Sequence, residues 1–172
     1  MRMWVPRRWR GRPYSGGVFT VNGGGSDIWG STDQFNYVSQ PLTGNGTIVA
    51  RVTSQTNTST WAKAGVMIKQ STTAGSAYAL LGVTPGNGVA FQYGFNLSVA
   101  AGGYTFPNGW LKLIRVGTTI TAYTSPDGST WTQVGTATVS LTDPVTIGMF
   151  VCSHNPGALS TATFDNVTVT SP

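Results

Sequence analysis

The side chains able to do chemistry are few. The chain holds five aspartates, Asp27, Asp33, Asp127, Asp143 and Asp165, no glutamate, one histidine (His154) and one cysteine (Cys152). A glycosidase needs two carboxylates set a few ångströms apart, and a zinc site needs a cluster of His, Cys or acidic ligands. These aspartates are scattered, and no local pattern joins two of them. The chain is rich instead in Thr, Gly, Ser and aromatic residues, which is the composition of a binding surface.

Aromatic rings recognise sugars because the apolar C–H face of a pyranose stacks on them, while Tyr and Trp add a polar tip. Tyr93, Phe95, Tyr104 and Phe106 fall in one Gly-rich stretch, 93–108. Long loops carrying such residues are commonly functional. Trp61 stands at a strand entrance two residues before Lys63, and both are binding candidates. His154 and Asn155 follow a buried strand and are placed to orient a sugar hydroxyl. Trp29, Trp110 and Trp131 are expected as core, and Asp127 as a turn former in Ser125–Trp131. Asp27 and Asp165 lie near opposite ends of the chain, and paired terminal strands would bring them together. Loop carbonyls and Asn166 or Asn22 could then complete the oxygen set of a structural calcium ion.

The elements that must position these groups are strands. Turn signals such as Gly44-Asn45-Gly46 and Pro85-Gly86-Asn87-Gly88 recur at short intervals, and no stretch carries a helical period. The pattern predicts strands at 17–21, 34–40, 47–53, 64–69, 77–83, 89–93, 111–116, 119–125, 132–138, 145–153 and 162–170. Thr119, Thr121 and Tyr123 alternate with Ile120 and Ala122, as in a strand with one wet face. Residues 145–152 are apolar on both faces, which places them inside a sheet covered on both sides. Many short strands without helix predict an all-β, two-sheet antiparallel β-sandwich of jelly-roll type.

Charge is unevenly placed. Of the net +5, all is carried by arginines before Pro13, where Arg2, Arg7, Arg8, Arg10 and Arg12 form a basic arm (residues 1–13) expected to be disordered, a linker or foreign to the domain. Residues 14–172 form a single domain with balanced charge. A neutral body argues against nucleic acid, whose binding is dominated by phosphate neutralisation. No apolar run reaches the length of a membrane span. With one cysteine there is no internal disulfide.

Several ordered motifs resemble a known family. Gly16-Gly17-Val18-Phe19-Thr20-Val21, Asp27-Ile28-Trp29-Gly30 and Asp33-Gln34-Phe35 are followed by Gln40-Pro41-Leu42 and by Gly46–Val52. Trp61-Ala62-Lys63-Ala64-Gly65-Val66-Met67-Ile68, Trp131-Thr132-Gln133-Val134-Gly135, Ser153-His154-Asn155 and Phe164-Asp165-Asn166-Val167 complete the series. In this order they resemble the concanavalin A-like lectin/glucanase (laminin G-like) modules of bacterial secreted proteins. The resemblance implies a concanavalin A-like jelly roll that is monomeric or one module of a larger extracellular or cell-surface protein. Its ligand would be a polysaccharide or glycan. A further strand usual before the Tyr14-Ser15-Gly16-Gly17 segment is replaced here by the basic arm.

Three functions follow as expectations. The first is a non-catalytic carbohydrate-binding module. The second is a polysaccharide lyase acting on a uronate polymer, since Trp61-Ala-Lys63-Ala-Gly65-Val-Met67 faintly resembles the Tyr-x-Lys-x-Gly-x-Tyr run of alginate lyases. The third is a structural or adhesion module, because the fold hosts both sugar and protein ligands.

Overall fold

The computed structural model describes residues 14–97 and 109–172, with the backbone alone at 98–100. The basic arm, Tyr104 and Phe106 lie outside the described residues. In chain order the strands are β1 (Tyr14–Ser15), β2 (Val18–Gly23), β3 (Ile28–Trp29), β4 (Thr32–Asp33), β5 (Asn36–Leu42), β6 (Gly46–Gln55) and β7 (Lys63–Lys69). They continue as β8 (Tyr78–Thr84), β9 (Gly88–Tyr93), β10 (Asn96–Ala100), β11 (Gly109–Val116) and β12 (Thr119–Ser125). β13 (Thr132–Thr138), β14 (Val145–Cys152) and β15 (Ser160–Thr170) close the chain.

Two antiparallel sheets form the expected jelly-roll sandwich. One has the order β1-β2-β15-β6-β11-β12-β13, the other β10-β9-β8-β7-β14-β5. Alternation along β6 and β11 turns Ile48, Ala50, Val52, Leu111 and Leu113 inward, where they are fully buried. They meet Ala64, Val66, Ile68, Leu81 and Phe91 of the second sheet in one core cluster. The period of two is thus the organising signal of the seven-stranded sheet, which keeps one face toward water.

The six-stranded sheet behaves differently. β7 and β8 are buried at every position, because their outer face is covered as well. The cover is the short β3–β4 hairpin. Its Ile28 is wholly buried against Met67, Tyr78, Leu80, Phe150 and Cys152 in a second, smaller core. That burial alone is worth roughly 1.5–3 kcal/mol. Gly30 turns the hairpin with φ 60°, and the Phe95 ring lies so close that a Cβ there would come within 2.1 Å of it. Only glycine meets both demands. The expected strand over 145–153 is β14, between β7 and β5, and it has the double cover predicted from its apolar faces.

Candidate functional site

The hairpin is tethered to the sheet by charge at both ends. Lys63 and Lys69 sit six residues apart in β7, so both point to its outer face. Asp27 and Asp33, also six apart, frame the hairpin. Lys63 Nζ lies 2.5 Å from Asp27 Oδ1, and Lys69 Nζ lies 2.9 Å from Asp33 Oδ2. Between them, the amide nitrogen of Gln92 donates to the Ile28 carbonyl and, at 2.8 Å, to the Tyr78 hydroxyl.

Beside the Asp27 end the covered face opens into a groove of about 270 Å³, lined by Asp27, Trp29, Trp61, Lys63, Gln92, Leu97 and His154. Trp29 leaves the hairpin on its exposed side, opposite Ile28, and is edge-on to Phe95 at 6.1 Å. Trp61 enters β7 with its ring 5.9 Å from Lys63 Nζ. Leu97 pairs with Gln92 across β10 and β9, so both face the groove. His154 is held by the loop after β14, with Nε2 3.4 Å from Asp27 Oδ2 and Nδ1 3.4 Å from Ser59 Oγ. Its backbone takes φ 50°, a left-handed conformation uncommon outside glycine. The loop keeps that shape because Asn155 N–H and Ser153 Oγ both donate to the Gly25 carbonyl, at 3.0 and 3.1 Å.

Electrostatically the groove is a matched set. Burial disfavours the charge on Asp27, but the Lys63 hydrogen bond and charge and the Ile28 N–H outweigh it and hold the carboxyl below its usual range. Burial pushes the Tyr78 hydroxyl up to about 12, despite its bond from Gln92. Burial likewise raises the Cys152 thiol. The groove therefore offers one ionised carboxylate beside an ammonium, an imidazole and two indoles. The second carboxylate on this face, Asp33, is sealed at the far end of the hairpin. A two-carboxylate hydrolytic pair is not assembled here. Hydrogen bonding to hydroxyls against an aromatic wall is what the arrangement can do.

A larger cavity of about 470 Å³ lies on the other side of the hairpin, between Gly30, Gly75, Tyr93, Phe95 and Ser140. Glycine, hydroxyl and ring groups line it without an ionisable acid–base set. The smaller groove, where the polar groups converge, is the better candidate site.

Of the binding candidates, Trp61, Lys63 and His154 meet in this groove. Asn155 does not line it. It is exposed, and its side-chain oxygen accepts from Gly157 N–H at 3.0 Å within a turn. Tyr93 packs on the main core, 5.3 Å from Phe91. Phe95 is 70% exposed but spends its ring on Gly30 and Trp29. The proposed calcium pair is not a pair. Asp165 forms a bidentate bridge to Arg51 on the seven-stranded sheet, while Asp27, just before β3, pairs with Lys63 of the six-stranded one. Each carboxylate already holds a cation, so the donor set does not fit a metal ion. Among the described residues there is no group of three or more His, Cys or Asp side chains able to hold one. Trp29 is 37% exposed and lines the groove, contrary to its expected core position. Trp110 and Trp131 are half-buried on an outer sheet face. Asp127 does organise its turn, accepting from Ser129 and Thr130 N–H at 2.8 and 2.7 Å.

Comparison with known proteins supports the fold. No protein-family model matches the sequence, and no curated protein does. Among solved structures, the chain is similar to a functionally unknown protein from Saccharomyces cerevisiae, with 19% identity, TM-score 0.75, and 96% of this chain and 94% of that one covered. It is also similar to a xylan β-1,4-xylosidase from Bacillus halodurans C-125, at 13% identity and TM-score 0.59, covering 90% of this chain but 33% of that one. An alginate lyase of polysaccharide lyase family 7 matches at 15% identity and TM-score 0.59, over 89% of this chain and 76% of that one. These likenesses establish a shared jelly-roll sandwich.

Proposed function

We propose that this domain is a non-catalytic glycan-binding module of a secreted or cell-surface protein, and that the groove beside Asp27 is its sugar site. The observation that carries the reading is the convergence of Trp29 and Trp61 with the Asp27–Lys63 pair and His154 in one open groove. Its volume lies near the lower end of ligand pockets, about 300 Å³, and suits a single pyranose unit. The ring would stack on an indole while its hydroxyls meet the carboxylate, ammonium and imidazole. Sharing the fold with a xylosidase chain and an alginate lyase is consistent with a carbohydrate ligand.

The lyase reading is weaker on this geometry. Met67 stands where the second tyrosine of the lyase run would be, and it is buried under Ile28. Tyr78 has its hydroxyl tied to Gly94 and Gln92 and its proton held to about pH 12. A base of that kind is poorly matched to neutral pH.

Retention on a panel of neutral and acidic polysaccharides, scored together with absorbance of new unsaturated ends, tests the proposal. The expected result is retention without turnover, with Kd in the micromolar to millimolar range, about 4–8 kcal/mol. Trp61→Ala should weaken it tenfold or more. Unsaturated ends on alginate or pectin would overturn the binding module in favour of the lyase. Retention unchanged in both Trp61→Ala and Trp29→Ala would place the site elsewhere.

A further inference from the structure

The outer face of the seven-stranded sheet carries an arrangement that the groove does not explain. Four of the five cations in the described residues are matched to carboxylates: Arg51 to Asp165, Lys63 to Asp27, Lys69 to Asp33 and Arg115 to Asp143. Lys112 is the exception among the described residues. No carboxylate reaches it, and the remaining aspartate, Asp127, is turned into its own loop by Ser125, Ser129 and Thr130. Instead the Lys112 ammonium sits 3.9 Å from the centre of the Trp131 ring and 4.8 Å from that of Tyr123. Lys112 and Tyr123 are direct cross-strand partners in β11 and β12, and Tyr123 faces Gln133 of β13.

The neighbouring row of this face holds Ile114, Thr121 and Thr136, with no charge. Here two rings and an unmatched ammonium, all half-buried, stand together. Partial burial lowers the pKa of Lys112, because part of its hydration is lost without a counter-charge to compensate. The rings recover some of this through cation–π attraction, roughly 0.5–1 kcal/mol at an exposed site. An anion arriving at Lys112 would supply the missing counter-charge, with flat aromatic surface beside it. Beyond the Arg51–Asp165 pair, whose guanidinium rests 5.4 Å from the Trp110 ring, the face carries one positive charge in excess.

We propose that this face is a second binding surface, independent of the groove, for an anionic polysaccharide whose carboxylate or sulfate pairs with Lys112 while its sugar ring lies against Trp131 and Tyr123. Gln133 is exposed and placed to bind hydroxyls beside them. One excess charge with adjoining rings matches a polymer whose charges are spaced along sugar units. It does not match a nucleic acid, where affinity comes from neutralising several phosphates at once.

Affinity electrophoresis of the full chain through gels containing polygalacturonate or a sulfated galactan tests this against neutral xylan gels. The arginines before Pro13 attract any polyanion and do so equally in every variant, so the reading is the difference between variants. Wild type should be retarded, and Lys112→Gln and Trp131→Ala should each lose at least fivefold in affinity while keeping a cooperative melting transition lowered by only a few degrees. Lys112→Arg should retain most of it, and Trp61→Ala should keep the acidic-polymer retardation while losing groove binding. Because Trp131→Ala leaves the net charge unchanged, a pure charge effect would spare it, and that result would overturn the proposal. Equal retardation of wild type and Lys112→Gln would overturn it too, as would loss of retardation in Trp61→Ala. So would equal, Lys112-dependent retardation by single-stranded DNA, which would make the site a general polyanion contact. Failure of the groove reading shows only in Trp61 and Trp29 variants, so the two outcomes are distinguishable.

Discussion

Lys63 and Lys69 lie on the same face of the same strand, and each binds one end of the β3–β4 hairpin, yet their surroundings differ. At Lys69 both partners are sealed, with side-chain exposures of 2% and 4%, and the ammonium also donates to the Thr73 and Ser76 carbonyls. At Lys63 the ammonium is equally buried, but Asp27 keeps 30% of its side chain exposed and looks into the groove. One end is a rivet and the other is a rivet with a window. The same ion-pair chemistry thus closes the fold at one place and presents a polar, preorganised surface at the other. On the glycan-binding proposal the site lies where the seal is left open, because the part-exposed Asp27 carboxylate can still meet a ligand and the sealed Asp33 cannot.

The sharpest way to break the comparison is at the sealed end. Lys69→Met leaves the Asp33 carboxylate buried with only the Gly75 N–H as partner, and its Oδ1 is already without one. Breaking a buried pair on one side costs about 3–5 kcal/mol. Urea unfolding should show a loss of this size, while the double variant Lys69→Met/Asp33→Leu should recover much of it, since a packed apolar pair avoids the unpaired charge. A loss below about 1 kcal/mol for the single variant would mean that water reaches Asp33 and that the two ends do not differ.

Lys63→Met should invert the balance between stability and function. Asp27 has a hydrated side, so the cost should be smaller, about 1–3 kcal/mol for a lost charged hydrogen bond. Sugar retention should nevertheless fall tenfold or more, because the groove loses its only donor ammonium. Lys69→Met, where it remains folded, should bind as wild type. Similar retention in both variants would place the ligand away from Asp27.

The sandwich was largely legible because its signal is local. The period-two alternation of β6, β11 and β12 and the turn residues between them located most strands to within a residue or two. β1, β3, β4 and β10 were not, for a physical reason: two-residue strands show no period, and β10 begins inside a Gly-rich stretch that reads as loop. The site was half legible. Trp61, Lys63 and His154 stand out as rare types beside strand ends. Trp29, Gln92 and Leu97 join them only once the hairpin crosses the sheet, a tertiary placement that no spacing encodes. Gln92 did carry a signal, as a polar residue closing the apolar run Val89-Ala90-Phe91. Asp27 and Asp33 share the six-residue spacing of Lys63 and Lys69, but only the hairpin's crossing shows which acid meets which base. The same omission made Asp27 and Asp165 look like a metal pair.

Acid should separate the two lysines most finely. Burial works against the charge of Asp27, yet the Lys63 hydrogen bond and charge, the Ile28 N–H and the His154 charge together keep its folded pKa below the unfolded value near 4. A carboxyl depressed in the folded state binds fewer protons than in the unfolded one. Its stabilising contribution is therefore complete above about pH 4 and is lost as pH falls through the lower folded value. Asp143 and Asp165, held down by the hydrogen bonds of Arg115 and Arg51, add losses of the same sign. The urea midpoint should accordingly drop as pH falls from about 5 to 2. In Lys63→Met the compensating ammonium is gone, so burial dominates at Asp27 and its proton is taken up more readily in the folded state. The acid slope of that variant should then be shallower than that of wild type, while Trp61→Ala, which leaves the pair intact, should keep the full slope. Parallel slopes in wild type and Lys63→Met would show that the open end contributes no electrostatic stability, leaving the Lys63–Asp27 pair as a feature of the groove alone.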